Sequence, residues 1–373
     1  MSGKKRIGII FGGQSSEHEV SRVSAQSVIN SLDRNKYEVI MIGITKEGKW
    51  LAYEGPAEKL STGEWQTIAE TNRIDVKKPA QTGDFNSARE ILRISGAERE
   101  GKTIDIAFPV LHGANGEDGT IQGLFELAGI PYVGSGVLGS ALGMDKYYAK
   151  IVFEKENLPQ GKFLVFSKKQ IINDLDQAIR QVENVFTYPC FVKPCNSGSS
   201  VGVSKVCTRE KLVDSLYMAL EYDRRVLVEE FIDGQEIECA VLGNDEPIAS
   251  TVGEIIPCNE FYDYEAKYSA KSTSKVLIPA RLSSETIEKI REYALKAFKA
   301  LDCAGLARAD FFVQKKTGKI YINELNTMPG FTQISMYPKL WEASGITYPK
   351  LLDRLIELAI ERHEEKMDIS RGL

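Results

Sequence analysis

The sequence predicts an α/β fold that turns to α+β toward its C-terminal end. Two patterns and the chain length carry this expectation. In the first part of the chain, short apolar runs alternate with amphipathic stretches, as strands and helices do around a parallel sheet. From Gly234 onward, neighbouring segments alternate apolar and polar residues around turn-prone residues, the pattern of antiparallel strands. With 373 residues, two or three domains are expected. A chain of that length buries roughly three quarters of its unfolded surface and needs no disulfide or metal staple.

Taken in order, RIGIIF (6–11) reads as a buried strand, and GGQSSEHEVS as the polar turn after it. A helical repeat then runs through Val20, Val23, Ser27 and Leu32. YEVIMIGI (37–44) and TIDIAFPVL (103–111) are further strands, while 54–102 shows weak periodicity and reads as an insertion of loops and short elements. One long helix is expected from Val137 to Glu156, ended by the Leu158-Pro159 step. Next come a strand (FLVF), a helix over 170–184, a strand (YPCFVKP), a Gly/Ser loop (196–200), a strand (VGVSKV), a helix near 208–222 and the strand RRVLVEEFI. EIECAVLG and IASTVGEII form an antiparallel pair, a polar segment covers 257–275, and an amphipathic helix spans Ser284–Leu301. GLARADFFV and KIYINELN form a hairpin across KKTGK, and a helix near 347–366 follows.

Composition narrows the function classes. A formal net charge of −5 argues against a nucleic-acid partner, which favours a basic face. The six cysteines contain no CxxC pair and there are three histidines, so a zinc site of the usual ligands is not expected. Most of those cysteines sit in apolar runs, as reduced thiols of a cytoplasmic protein do. The apolar run after Lys4, Lys5 and Arg6 is too short for a signal peptide. No stretch approaches the ~20 apolar residues that cross a bilayer.

Four places can carry chemistry. In KPCNSGSSVGV (Lys193–Val203) a strand enters a loop of small residues, whose backbone N–H groups can approach an anion while Lys193 neutralises a phosphate. A mobile hairpin loop is the plainer alternative, and GxxxxGK[ST] is absent. In ARADFF and INELN, Arg308 and Asp310 stand two apart on one strand, Glu324 and Asn326 two apart on the next. Period-two geometry puts each pair on one face, so Asp310, Glu324 and Asn326 offer the oxygen donors that Mg²⁺ on nucleotide phosphates requires. A solvated hairpin face is the alternative. LHGANGEDGT (Leu111–Thr120) ends a strand, where ligands of open α/β sheets bind, and offers His112, although a lone histidine is more often structural. GGQSSEHEVS offers Glu17, either for a substrate ammonium or as an acid favoured at a helix start. GSGVLG (Gly134, Gly136, Gly139) matches GxGxxG, but only Tyr132-Val133 precede it as a strand, and an isolated match does not make a dinucleotide site.

Together these segments resemble the D-alanine–D-alanine ligase family of the ATP-grasp fold. The likeness runs in order through GGQSSEHEVS, LHGANGEDGT, SALGMDK, KPCNSGSSVG, VEEFIDGQE, EFYDYEAKY, GLARADFF and INELNTMPG. It implies a three-domain ATP-grasp fold. Its parts are a Rossmann-like parallel α/β domain (1–140), a central subdomain (141–232) and a C-terminal subdomain (233–373) whose lid spans 257–275. Residues 54–102 resemble an insertion of longer members. Lys146 and Lys193 then contact ATP phosphates, the backbone of Glu229, Glu230, Phe231 and Ile232 meets adenine, and Glu236 takes the ribose hydroxyls. Asp310, Glu324 and Asn326 match the magnesium ligands, two ions being expected with Mn²⁺ as a substitute.

The resemblance also implies the chemistry. An acyl phosphate forms from ATP and D-alanine and is attacked by the amine of a second D-alanine. Arg308 and the Gly330 N–H stabilise the oxyanion. Glu17 binds the first ammonium, with His112 near that carboxylate, and Ser335 and Met336 hold the second carboxylate, Met336 through its main chain. In the lid, Lys267 reaches the transferred phosphate, and Tyr268 bonds Ser199, which links to Glu17. A tyrosine at 268 favours D-alanine over D-lactate as second substrate. A cytoplasmic homodimer through the N-terminal domain, serving peptidoglycan synthesis, is implied as well. Another ATP-grasp carboxylate–amine ligase, including D-Ala–D-lactate and D-Ala–D-Ser ligases, is the alternative. An inactive ATP-binding regulator would have no use for Arg308, and an NAD-dependent oxidoreductase rests on GSGVLG alone.

Overall fold

The computed structural model describes residues 3–71, 104–256, 275–332 and 334–371. The segment 72–103, most of the expected insertion, and the lid with Lys267 and Tyr268 lie outside the described residues.

The first sheet grows from three apolar strands. β1 (Lys5–Gly12) pairs in parallel with β2 (Tyr37–Ile44) on one side and β4 (Ile106–Pro109) on the other, and β3 (Trp50–Tyr53) adds an antiparallel edge to β2. α1 (His18–Ser31) packs on it, followed by the short α2 (Glu58–Thr62) and α3 (Trp65–Thr71), while α4 (Thr120–Ala128) follows β4. α2 and α3 give structure to the start of the segment expected as an insertion, and their Leu60 and Trp65 are buried in the core beside Leu51 and Tyr53 of the preceding β3.

The helix expected over 137–156 is two helices, α5 (Val137–Met144) and α6 (Lys146–Lys155). Asp145 separates them in an extended conformation (φ −87°, ψ 100°), and its carboxylate accepts hydrogen bonds from the Tyr147 and Tyr148 N–H groups. An aspartate that caps the next helix cannot also continue the last one. The helix expected over 170–184 breaks the same way, into α7 (Lys168–Asn173) and α8 (Leu175–Val185), with Asp174 capping α8.

The second sheet, in the order β5-β8-β6-β7, consists of β5 (Phe163–Ser167), β6 (Cys190–Pro194), β7 (Ser204–Val206) and β8 (Arg225–Glu230), and α8 and α9 (Arg209–Ala219) bury its apolar side in a core of its own. The third runs β11-β10-β9-β12-β13: β9 (Gly234–Gly243), β10 (Ile248–Ile256), β11 (Lys275–Leu277), β12 (Gly305–Gln314) and β13 (Ile320–Asn326), antiparallel throughout. α10 (Ser284–Ala300) and α6 cover one face of this sheet, over Ile237, Cys239, Ala307, Ala309 and Phe311. α11 (Met336–Ala343) and α12 (Tyr348–Arg371) join it to the first sheet through a shared core that includes Phe108, Phe331, Tyr337 and Leu352. α11 had no counterpart in the sequence reading, and α12 extends past the expected end near 366.

Strand alternation fixes the chemical face. With Ala307, Ala309 and Phe311 turned to α10, Arg308 and Asp310 must turn the other way. On β13, Ile322 and Leu325 both face α10, because a register shift between Asp310 and Phe311 admits one extra residue. That bulge leaves Asn323 and Glu324 both on the opposite face.

Candidate active site

A cavity of about 1850 Å³ opens where the three sheets meet. All seventeen sequence-predicted site residues that fall within the described chain line it, from Glu17 to Met336. Lys267 and Tyr268 lie outside the described residues.

The acidic row sits on the last sheet. Glu238, Asp310 and Glu324 are direct partners across β9, β12 and β13, so the three carboxylates share one face. Asn326 lies opposite Arg308 in the same ladder, and its Oδ1 accepts from the Met328 N–H at 3.2 Å. Arg308 compensates the row. Its Nε and Nη2 each donate to Asp310 at 2.7 Å, and Nε lies 3.1 Å from Glu238 Oε2. Burial works against the charge, but Asp310 and Glu238 outweigh it and raise the guanidinium well above its ordinary value.

Basic residues approach from the central sheet and α6. Lys193, at the end of β6, pairs with Glu229 at 2.5 Å and donates to Asn323 Oδ1 at 3.4 Å. Lys150, one turn along α6 from Lys146, takes the other oxygen of Glu229 at 2.6 Å. Burial alone would raise the Glu229 carboxyl, yet the two lysines hold it down at about 2. Burial would likewise lower Lys193, and Glu229 and Glu324 raise it instead. Lys146 begins α6, where the helix dipole disfavours a cation; the Ser197 carbonyl at 2.7 Å and Glu324 at 3.5 Å offset that cost.

Phe231 and Ile232 connect β8 to β9 outside both ladders, with the Phe191 and Phe231 rings 6.1 Å apart beside them. Their backbone is therefore not committed to strand pairing, while Glu230 accepts from the Lys162 N–H. Glu236 precedes Glu238 by two on β9 and shares its face.

On the first sheet, Gly12 and Gly13 turn the chain out of β1 with φ of 89° and 98°. Glu17 follows, buried at the start of α1. Ser199 Oγ donates to Glu17 Oε1, the link expected from the sequence. Ser199 (φ 46°) and Ser200 (φ 59°) are both left-handed, a conformation that non-glycine residues adopt at a cost. His112 is buried at the end of the strand, with Nδ1 3.0 Å from Met328 O and Nε2 3.0 Å from Ser24 Oγ. Burial would lower its pKa, but the Glu117 carboxylate 3.5 Å away raises it. Nδ1 thereby contacts the loop after β13, which carries Gly330, while Nε2 contacts Ser24 of α1, whose Oγ accepts from the Phe331 N–H of that loop at 3.4 Å. Gly330 itself packs against Ser335: a Cβ there would stand 2.9 Å from Ser335 Oγ, which also accepts from the Thr332 N–H at 3.1 Å.

The comparisons decide the family. The model described as D-ala D-ala ligase N-terminus matches residues 6–135, and that described as D-ala D-ala ligase C-terminus matches 152–357. The chain belongs to the D-alanine–D-alanine ligase family. The D-alanine–D-alanine ligase of Ruminiclostridium cellulolyticum is 64% identical over 97% of each chain. That of Acetivibrio thermocellus is 59% identical over 98% of this chain and 99% of its own. Among solved structures, the VanG D-Ala:D-Ser ligase of Enterococcus faecalis matches with a TM-score of 0.81 at 40% identity, over 96% of this chain and all of its own. The D-alanine-D-alanine ligase of Coxiella burnetii matches with 0.80 at 36%, over all of this chain and 98% of its own. The fold is thus that of the ATP-grasp ligases.

In this family member, three side chains that the sequence reading passed over stand beside the expected ones. They are Lys150 on α6, Asn323 on β13 and Glu238 on β9, none of which is among the expected site residues. Only the last had a usable signal, its two-residue spacing from Glu236. Met336 turns its side chain into the core against Gly253, which leaves its main chain, in the first turn of α11, to the cavity. Among the described residues no three His, Cys, Asp or Glu side chains group as a metal site; the set here is two opposed carboxylates and an amide. Those hard oxygen donors fit Mg²⁺. No described helix is long and apolar enough to cross a membrane.

Proposed function

We propose that the chain joins two D-alanines to D-alanyl-D-alanine through a D-alanyl phosphate, with ATP as co-substrate. The observation that carries this is the single cavity in which Lys146, Lys193, Arg308, Asp310 and Glu324 meet Glu17. The cations suit a triphosphate, and the buried carboxylate of Glu17 suits an amino group.

Glu17, kept in place by Ser199, receives the ammonium of the first D-alanine, and His112 stands near its carboxylate. That carboxylate oxygen attacks the γ-phosphorus, and the bond to the β,γ-bridging oxygen breaks to release ADP. Lys146 and Lys193 offset the repulsion between the two anions, as phosphoryl transfer requires. The nucleotide's adenine lies against the Glu229–Ile232 backbone, and Glu236 takes its ribose hydroxyls. Asp310, Glu324 and Asn326 would hold Mg²⁺, two ions with Mn²⁺ as a substitute, which supplies further charge neutralisation on the phosphates. The second D-alanine, its carboxylate at Ser335 and the Met336 N–H, loses an ammonium proton and attacks the acyl carbon. The tetrahedral oxyanion is met by Arg308 and the Gly330 N–H, donors set before the reaction begins. Phosphate then leaves as its bond to the acyl carbon breaks, takes up the second proton of the attacking nitrogen, and the amide remains. Lys267 and Tyr268 belong to the lid in this reading, which divides the chain at 1–140, 141–232 and 233–373. A cytoplasmic homodimer supplying peptidoglycan synthesis fits the same reading.

The likeness to a D-Ala:D-Ser ligase favours testing D-serine as the second substrate. The experiment supplies ATP, Mg²⁺ and D-alanine, alone and with equimolar D-serine or D-lactate, and reads products by mass. D-alanyl-D-alanine as the main product is expected. ADP release without dipeptide, or a mixed product in excess, rejects the assignment.

A further inference from the structure

We propose that Glu238 is a positioning residue for Arg308, retaining the guanidinium when Asp310 turns to its other task. The inference rests on the ligase reading, in which Asp310 serves the nucleotide's cation and Arg308 the oxyanion.

In the structure both oxygens of Asp310 are committed to Arg308, at 2.7 Å each. A cation that binds these oxygens through their remaining lone pairs withdraws electron density from both, so the hold of Asp310 on the guanidinium weakens as it takes up the cation. The bond that Glu238 can replace is the one from Nε, because Glu238 Oε2 already lies 3.1 Å from that nitrogen. One N–H serves one acceptor well, so the shorter contact to Asp310 prevails until Asp310 withdraws.

The backbone fixes this arrangement. Glu238 and Asp310 are direct partners on β9 and β12, and Arg308 precedes Asp310 by two, so the three side chains share one face. Glu238 and Asp310 are 4% and 5% exposed. A guanidinium left there without a second carboxylate would be a poorly compensated buried cation and would shift toward whatever anion lay nearest. Glu238 prevents that shift. Holding Nε leaves the Nη groups to face the reacting carbonyl. Glu238 itself touches neither substrate nor reacting atoms in this scheme.

The test compares Glu238→Gln, which keeps shape and removes charge, with Glu238→Asp, which keeps charge and withdraws it. Melting temperature, the Kd for Mg²⁺·ADP by calorimetry, kcat, and the ratio of ADP released to dipeptide formed are read for each. For Glu238→Gln we expect kcat to fall about 10- to 100-fold, the size usual for a lost supporting partner. Melting temperature should hold, nucleotide Kd should weaken by much less than kcat falls, and ADP release should exceed dipeptide as the acyl phosphate drains to water. Glu238→Asp should recover part of kcat, and it carries the test if the glutamine variant does not fold. An unchanged kcat and product ratio would overturn the proposal, as would a kcat loss matched by equal losses in nucleotide affinity and melting temperature. Failure of the parent protein to make dipeptide is a separate outcome that rejects the ligase reading itself.

Discussion

Lys150→Met tests the electrostatics of the cavity floor directly. Lys150 and Lys193 each hold one oxygen of Glu229, at 2.6 and 2.5 Å, in a position where all three are nearly sealed from solvent. Glu229 is held at about 2, against an ordinary glutamate value of ~4.3. At ~1.4 kcal/mol for each tenfold change in proton affinity, the difference contributes about 3 kcal/mol to folding at pH 7. The sign follows from a depressed acid: the contribution is present above pH ~4.3 and is lost as pH falls toward 2. Removing Lys150 leaves a buried carboxylate with half its compensation, so most of that stabilisation should go, about 2 kcal/mol. With an unfolding entropy near 2.1 cal/mol/K per residue, a chain of 373 residues would then melt about 2–3 °C lower. Urea unfolding of parent and variant from pH 7 down to pH ~3.5 is the assay. The gap between them should narrow as the acid limb is approached, because protonation of Glu229 removes what Lys150 stabilises. Equal stabilities at pH 7, or a gap that stays constant with pH, would refute the argument. Nucleotide affinity offers a second reading of the same change, since Lys193 becomes the only cation on Glu229 and should release it less readily to a phosphate.

Three further outcomes are expected. Arg308→Lys keeps a charge but not the fork on Asp310, so kcat should fall about 100-fold while Mg²⁺·ADP still binds by calorimetry. In Gly198→Ala the new Cβ would stand 2.5 Å from Glu17 Oε2, the far end of a side chain, so the fold should survive while Glu17 moves. The KM for the first D-alanine should then rise about tenfold or more, with ATP affinity unchanged. His112 is raised above its ordinary ~6.5 by Glu117, so its contribution is complete below that pH and is lost as pH climbs through the folded value. The parent's melting temperature should accordingly decline on the alkaline side, and His112→Gln should remove that part of the decline.

The line between what could and could not be read from the sequence follows the range of the interactions. β1, β2, β9, β12 and the hairpin to β13 were legible because period-two and apolar-run signals are local. The shared face of Arg308 and Asp310 followed from two-residue spacing alone. The breaks at Asp145 and Asp174 escaped because the apolar repeat continues through both, while the deciding hydrogen bonds come from one side chain to backbone groups two or three residues on. Lys150 escaped for a different reason. On α6 it is one more polar residue, and it becomes part of the cavity only because β6 and β8 bring Lys193 and Glu229 beneath it. Asn323 could not be assigned a face without knowing of the bulge, which exists only in the pairing of β13 with β12.

The cations on the cavity floor already have anionic partners. Lys146, Lys150, Lys193 and Arg308 stand against Glu229, Glu238, Asp310 and Glu324, each lysine and the arginine within 4 Å of at least one of these carboxylates. A nucleotide entering such a site does not meet surplus positive charge. It must draw lysines away from carboxylates that are themselves buried, and each carboxylate so deserted costs more than an exposed one would. A divalent ion arriving with the phosphates supplies what the lysines withdraw, since it adds positive charge beside Asp310 and Glu324 as Lys146 and Lys193 swing to the phosphates. Nucleotide and cation must then bind with favourable mutual coupling, and by linkage each strengthens the other by the same factor. Titrating ADP with and without Mg²⁺, and Mg²⁺ with and without ADP, measures that factor twice. Equal ADP affinity in both titrations would mean that the lysines are not borrowed from the carboxylates, and that their pairing on the cavity floor has no bearing on how the nucleotide binds.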